Sequence, residues 1–125
     1  MFVLDSSALI EVAENKQQKQ KVLEAVGNAL LITTSICMHE VLTGADSEKR
    51  RFILEGIFAK TLVLDHDRRA ALIGSRIGRD LNRKGSKLEE SDLLIASICM
   101  VHDAELVTLD KGFTRIEGLK VKIIK

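Results

Sequence analysis

Five short apolar runs, separated by stretches of helical period, constrain this 125-residue chain more than any other feature. They fall at residues 2–5, 29–33, 61–64, 105–109 and 120–124. Each is too short for a helix and carries Val, Ile, Leu or Thr, so each reads as a buried strand. Short strands alternating with helices predict an α/β fold: a three-layer α/β/α domain around a central parallel sheet of four to five strands, joined by right-handed crossovers. A chain of this length makes one domain, residues 1–125.

The intervening stretches carry helix start and stop signals. Ser6 or Ser7 can cap a helix from Ala8 to about Ala13. Lys16 to Val26 reads as a second helix, stopped at Gly27-Asn28. Thr34 or Ser35 precedes a helix that ends at Gly44, and Ser47 precedes another carrying Phe52, Ile53, Ile57 and Phe58. Asp65 or Asp67 starts a long helix with Ala70, Ile73, Ile77 and Leu81 on one face and Arg69, Arg76, Arg79 and Arg83 on the other. Residues 82–91 are polar and contain Gly85, which predicts a loop, and Asp92 then opens a helix that is apolar almost all round and therefore buried.

Composition narrows the function classes. Hydrophobic residues make up 46% and charged residues 30%, the balance of a soluble globular domain rather than a disordered tail. With four Phe and neither Trp nor Tyr, the core is aliphatic and stacked aromatic platforms for bases are excluded. The two cysteines, Cys37 and Cys99, lie in apolar helical stretches and read as small core residues. Cys37-Met38-His39 is too sparse for structural zinc, and His39 reads as a helix-face residue. Neither a signal peptide nor a membrane-spanning run is apparent, so the expected compartment is the cytoplasm, with no membrane partner.

Four acids stand at the boundaries of these elements. Asp5 ends the first run, Glu40 lies just inside the third helix, Asp92 opens the last long helix and Asp110 follows the fourth run. Taken singly, Asp92 reads as an N-cap and Asp5 or Asp110 as a turn residue. Taken together they are harder to set aside, because strand ends and helix starts in an open α/β sheet converge on one crevice. Two carboxylates about 4 Å apart repel by about 4 kcal/mol at an effective dielectric of about 20. Four of them gathered together call for a hard divalent cation, Mg²⁺ or Mn²⁺, which takes oxygen ligands and leaves positions for phosphate. Ser6 and Thr108 offer supporting hydroxyls beside these acids. No phosphate-binding glycine loop, dinucleotide fingerprint or Gly-x-Ser-x-Gly elbow competes with this site.

Charge is unevenly spread although the net value is +1. Residues 48–87 hold eleven Lys/Arg against five Asp/Glu, while both flanking segments are net acidic. A basic middle beside an acidic pocket suits a polyanionic substrate, with the Arg-rich helix 68–84 available to RNA phosphates.

The segments around the acids resemble a known family. Leu4-Asp5-Ser6-Ser7-Ala8-Leu9-Ile10, the run Ser35 to Gly44, Ser91-Asp92-Leu93-Leu94-Ile95-Ala96 and the run Leu106 to Phe113 are similar, in order and spacing, to the PIN-domain ribonucleases, and most of all to the small VapC-type toxins of toxin–antitoxin pairs. The resemblance covers essentially the whole chain. It implies a Mg²⁺- or Mn²⁺-dependent endoribonuclease with Asp5, Glu40, Asp92 and Asp110 as catalytic and metal-binding residues and Ser6 and Thr108 in support. It also implies an RNA substrate, a homodimer and a small inhibitory antitoxin. The chain departs from the family's pattern at Gly112, where an acid often precedes the last Phe, and in having no Pro before the third acid.

Other readings remain at this stage. A solitary RNA-processing nuclease needs the same acids. A receiver-like module would use Asp65 as phospho-acceptor with Thr108, but Asp5 is followed by Ser6-Ser7 rather than an acid, and Lys125 is the only Lys after strand five. A non-catalytic binding module would keep the fold without turnover.

Overall fold

The computed structural model describes residues 1–27 and 30–125. Its elements are β1 (Phe2–Leu4), α1 (Ser6–Ala13), α2 (Lys19–Val26), β2 (Ile32–Thr34), α3 (Ser35–Thr43), α4 (Glu48–Phe58), β3 (Leu62–Leu64), α5 (Arg68–Arg83), α6 (Glu90–Val101), β4 (Glu105–Thr108), a 3₁₀ turn (Lys111–Arg115) and β5 (Lys120–Ile123). Every strand pairing is parallel.

The five strands form two ladders rather than one continuous sheet: β1–β4–β5 and β2–β3. Between them, Thr33 Oγ1 donates to the Leu4 carbonyl at 2.7 Å, a side chain standing where a backbone bond would continue the sheet. Thr33 is fully buried, so this bond also satisfies a hydroxyl that would otherwise be costly.

Successive strand residues point to opposite faces, and two cores result. Val3 and Leu106 pack with Leu81 of α5 and with Ile95, Ala96 and Cys99 of α6. Their neighbours Leu4 and Val107 pack with Ala8 and Leu9 of α1, Val22 of α2 and Leu54 and Phe58 of α4. A helical layer on each side of the strands is the expected three-layer α/β/α arrangement. Strands buried on both faces read as unbroken apolar runs, which is how β1 and β4 appear in the sequence. Each fully buried Leu or Ile here, such as Leu9, Ile95 and Leu106, contributes about 1.5–3 kcal/mol relative to exposure.

Several helix boundaries differ from the sequence reading. α1 is capped by Asp5, whose carboxylate accepts from the Ala8 N–H, so the helix starts at Ser6. Neither Ser6 nor Ser7 caps it, because their side chains are committed elsewhere. α2 starts at Lys19 after a turn in which Asn15 has φ 52°, and Gly27 at φ 72° closes it. Asn28 and Ala29, assigned to a helix stop and a strand, lie outside the described residues. Thr34, Ser47 and Asp67 cap α3, α4 and α5 as expected of those residue types. α6 starts at Glu90, so Asp92 sits in its first turn and does not cap it.

A four-carboxylate site at the strand ends

The β1–β4 register sets the site. Leu4 pairs with Val107, and the Asp5 N–H donates to the Val107 carbonyl at 3.1 Å. Asp5 therefore stands beside Thr108, and Asp110 follows within the same turn. Thr108 Oγ1 donates to Asp5 Oδ2, and Ser7 Oγ donates to Asp5 Oδ1 at 2.7 Å. Both hydroxyls are themselves held by the β4 turn: Ser7 Oγ accepts from the Leu109 N–H at 3.1 Å, and Thr108 Oγ1 from the Asp110 N–H at 3.0 Å. Asp5 is gripped at both oxygens and is 5% exposed. Ser7 is the participant the sequence reading left out. Its signal was its place two residues after a candidate acid, where a side chain can turn back on the chain.

Helices bring the other two acids. The tight turn at Thr34 lets α3 leave β2 at once and brings Glu40 to α1, where Ser6 Oγ donates to Glu40 Oε1 at 2.8 Å. Asp110 accepts from the Gly112 N–H at 2.8 Å and caps the 3₁₀ turn. A glycine at 112 keeps this approach open, since a Cβ there would lie 3.2 Å from Asp110 Oδ1. Asp92 is half-buried, and its carboxylate makes no hydrogen bond among the described residues.

The other three acids all act on Asp92. Burial pushes the Asp92 carboxyl up to about 6, with further upward pressure from Asp110, Glu40 and Asp5 and then from Glu89. Burial raises the Asp5 carboxyl as well, opposed by the bonds from Thr108, Ala8 and Ser7 and helped by Asp110. Carboxyls raised by burial and by neighbouring acids, as Asp92 and Asp5 are, are a common mark of a functional site. Asp65, by contrast, is exposed at the end of β3 and is not among the groups acting on Asp92. Cys37 and Cys99 are buried, and burial pushes the Cys99 thiol up to about 12, so both are inert core residues. His39 lies exposed on α3.

The donor set is oxygen only, the chemistry of a hard cation. Asp5, Glu40 and Asp110 each turn to a hydrogen-bond partner of their own, and among the described residues no three such groups stand together as a ready-made metal cage. No helix among the described residues is long and apolar enough to cross a membrane.

Comparison with known proteins agrees with this geometry. A tRNA(fMet)-specific endonuclease VapC of Salmonella typhimurium is 27% identical over 97% of this chain and 96% of its own length. The DNA-bound VapBC structure from the same organism superposes with a TM-score of 0.86 at 27% identity, covering 99% of this chain and 98% of that one. VapBC2 of Rickettsia felis, bound to a promoter DNA fragment, gives a TM-score of 0.87 at 22% identity, with 99% and 98% coverage. The PIN domain model matches residues 2–119, a span that takes in all four acids and every element before β5, and the chain belongs to the PIN-domain family.

Proposed function

We propose that this chain is a divalent-cation-dependent endoribonuclease of the VapC type, the toxin of a toxin–antitoxin pair. The observation that carries the reading is that Asp5, Glu40 and Asp110, brought from separate elements to one end of the strands, all act on Asp92. Mg²⁺ or Mn²⁺ would be held by Asp5, Asp92 and Asp110, with Glu40 as a further ligand or as the group that orients the attacking water. When bound, such a cation supplies Lewis acidity for phosphodiester hydrolysis. The chain's own groups do the rest. Ser7 and Thr108 fix Asp5 in one rotamer, Ser6 fixes Glu40, and Asp92 offers a carboxylate with no competing partner.

The VapBC neighbours support an antitoxin as partner, the homodimer rests on the resemblance to the VapC-type toxins alone, and the VapC relatives' names make tRNA(fMet) the first substrate to try. A direct test compares wild type with Asp5→Asn on initiator and elongator tRNAs, in Mg²⁺, in Mn²⁺ and in EDTA. Wild type should cut in the presence of either cation and neither protein should cut in EDTA. Equal cleavage by the two proteins would show a contaminating nuclease and remove the proposal.

A further inference from the structure

A groove of about 720 Å³ runs between α5 and α6, outside the four-acid cluster. Its apolar wall is formed by Gly74 and Gly78 of α5 with Leu93 and Leu94 of α6. Its polar groups are His66, Arg79, Asn82, Arg83 and Glu90. The two leucines are half-buried, whereas Arg79, Asn82, Arg83 and Glu90 are exposed, so the apolar surface lies deep and the charges lie at the rim. We propose that this groove is a nucleotide subsite for single-stranded RNA, in which Arg79 and Arg83 take successive phosphates, the leucines support a base, and Asn82 and His66 read its edge.

Four observations carry this. The volume suits one or two nucleotides, within the range of small-ligand sites. The arginines are unspent: among the described residues neither Arg79 nor Arg83 pairs with a carboxylate, although five other cation–carboxylate pairs form. Residues 66–87 hold seven Lys/Arg against two Asp/Glu, so the surroundings attract a polyanion rather than an acid-neutralised partner. His66 Nε2 is buried with no hydrogen-bond partner among the described residues, so a turn of its ring toward a base edge in the groove would relieve a cost that the free protein carries.

The groove is also well placed. Glu90 and Leu93 belong to the same first turn of α6 as Asp92, so an RNA strand leaving the groove reaches the acid cluster within one helical turn. Planar Arg groups grip phosphate in pairs of hydrogen bonds, and Asn reads base edges through its amide. With no Phe, Tyr or Trp in the groove, a base rests on Leu93 and Leu94, and discrimination falls to hydrogen bonds. The subsite rests on the nuclease reading for its purpose but not for its detection.

The test uses full-length Asp5→Asn protein and fluorescein-labelled single-stranded octamers of A, C and U, read by fluorescence anisotropy across a salt series. Substituting both Arg79→Ala and Arg83→Ala should weaken all three about tenfold and flatten the salt dependence by about 1.4 in log–log slope, two single-strand phosphate contacts. His66→Ala or Asn82→Ala should instead change the ranking of the three oligomers while leaving the slope in place. Light scattering reports the mass of each variant, and thermal unfolding its folding; the single Arg83→Gln change repeats the measurement should the double variant unfold. Unchanged affinity and slope, no RNA binding at all, or a changed oligomeric mass would each overturn the subsite, the last making the groove a contact between copies. Groove-dependent binding by a wild-type protein that cuts nothing in Mn²⁺ would remove the nuclease reading and leave the subsite standing. Normal cleavage and binding by the arginine variants would do the reverse.

Discussion

Thr108 Oγ1 stands between two groups that need it: it accepts from the Asp110 N–H at 3.0 Å and donates to Asp5 Oδ2. Thr108 is fully buried and Asp5 nearly so, so no water replaces the bond between them. Thr108→Val keeps the shape and removes both bonds, leaving one oxygen of the buried Asp5 carboxylate unpaired, at a cost of about 1–3 kcal/mol. Thr108→Ser should recover most of it. Urea denaturation in EDTA, followed by circular dichroism, measures this; equal midpoints for wild type and Thr108→Val would show that the hydroxyl does not hold Asp5. At this scale the sequence was legible where residue chemistry was local. Asp5 at a strand end marked both a site and a turn, but its capping of Ala8 and its clamp by Ser7 depend on side-chain direction and on the β4 register, neither of which spacing reveals.

Two glycines show how α5 and α6 set their distance. A Cβ at Gly74 would fall 2.3 Å from Ser97 Oγ and 3.1 Å from Ser97 Cβ, and one at Gly78 would fall 2.8 Å from Leu93 Cδ2. Ser97 Oγ is held by the Leu93 carbonyl at 2.6 Å, so it cannot simply swing aside. Gly74→Ala should therefore push the helices apart and cost about 1–3 kcal/mol. Gly56 on α4 has nothing within 4 Å of its would-be Cβ, and Gly56→Ala should stabilise by about 0.5–1 kcal/mol. Opposite signs in parallel thermal melts are the expected result; like signs would mean that the close approach of α5 to α6 is not rigid. Element order was legible because helical and strand periods alternate along the chain, and α5 followed its three-and-four apolar spacing. The split between the two ladders was not legible, because it turns on one side chain, Thr33, occupying a backbone position. The 3₁₀ turn after β4 was missed for a similar reason: it is nucleated by Asp110 capping, not by any periodic pattern.

Across the whole molecule, folding brings together carboxylates separated by more than a hundred residues, and that repulsion is held within the native state. Asp92 measures it. Its ordinary value is 3.8 and the folded value is about 6. Between these values the native state holds a proton that the unfolded chain has released, so unfolding gives up a proton and stability falls as pH rises through the window. Asp92→Asn cannot ionise and should escape this fall, melting above wild type at pH 7 in EDTA and converging with it near pH 4. Because Asp92 is only half-buried, solvent screening reduces the size of the gap without changing its sign. Saturating Mn²⁺ or Mg²⁺ should close the gap from the other side, since a cation that binds the folded form at about a hundred times its dissociation constant adds about 2.7 kcal/mol. Differential scanning calorimetry at pH 4, 5, 6 and 7, with EDTA or Mn²⁺, checks each step. A wild-type melting temperature indifferent to Mn²⁺ at pH 7, or an equal Mn²⁺ shift in Asp92→Asn, would break the link between the acid cluster and a cation. The reverse pH trend would mean that Asp92 is held ionised by a cation or a hydrogen-bond donor that outweighs burial and the three acids around it.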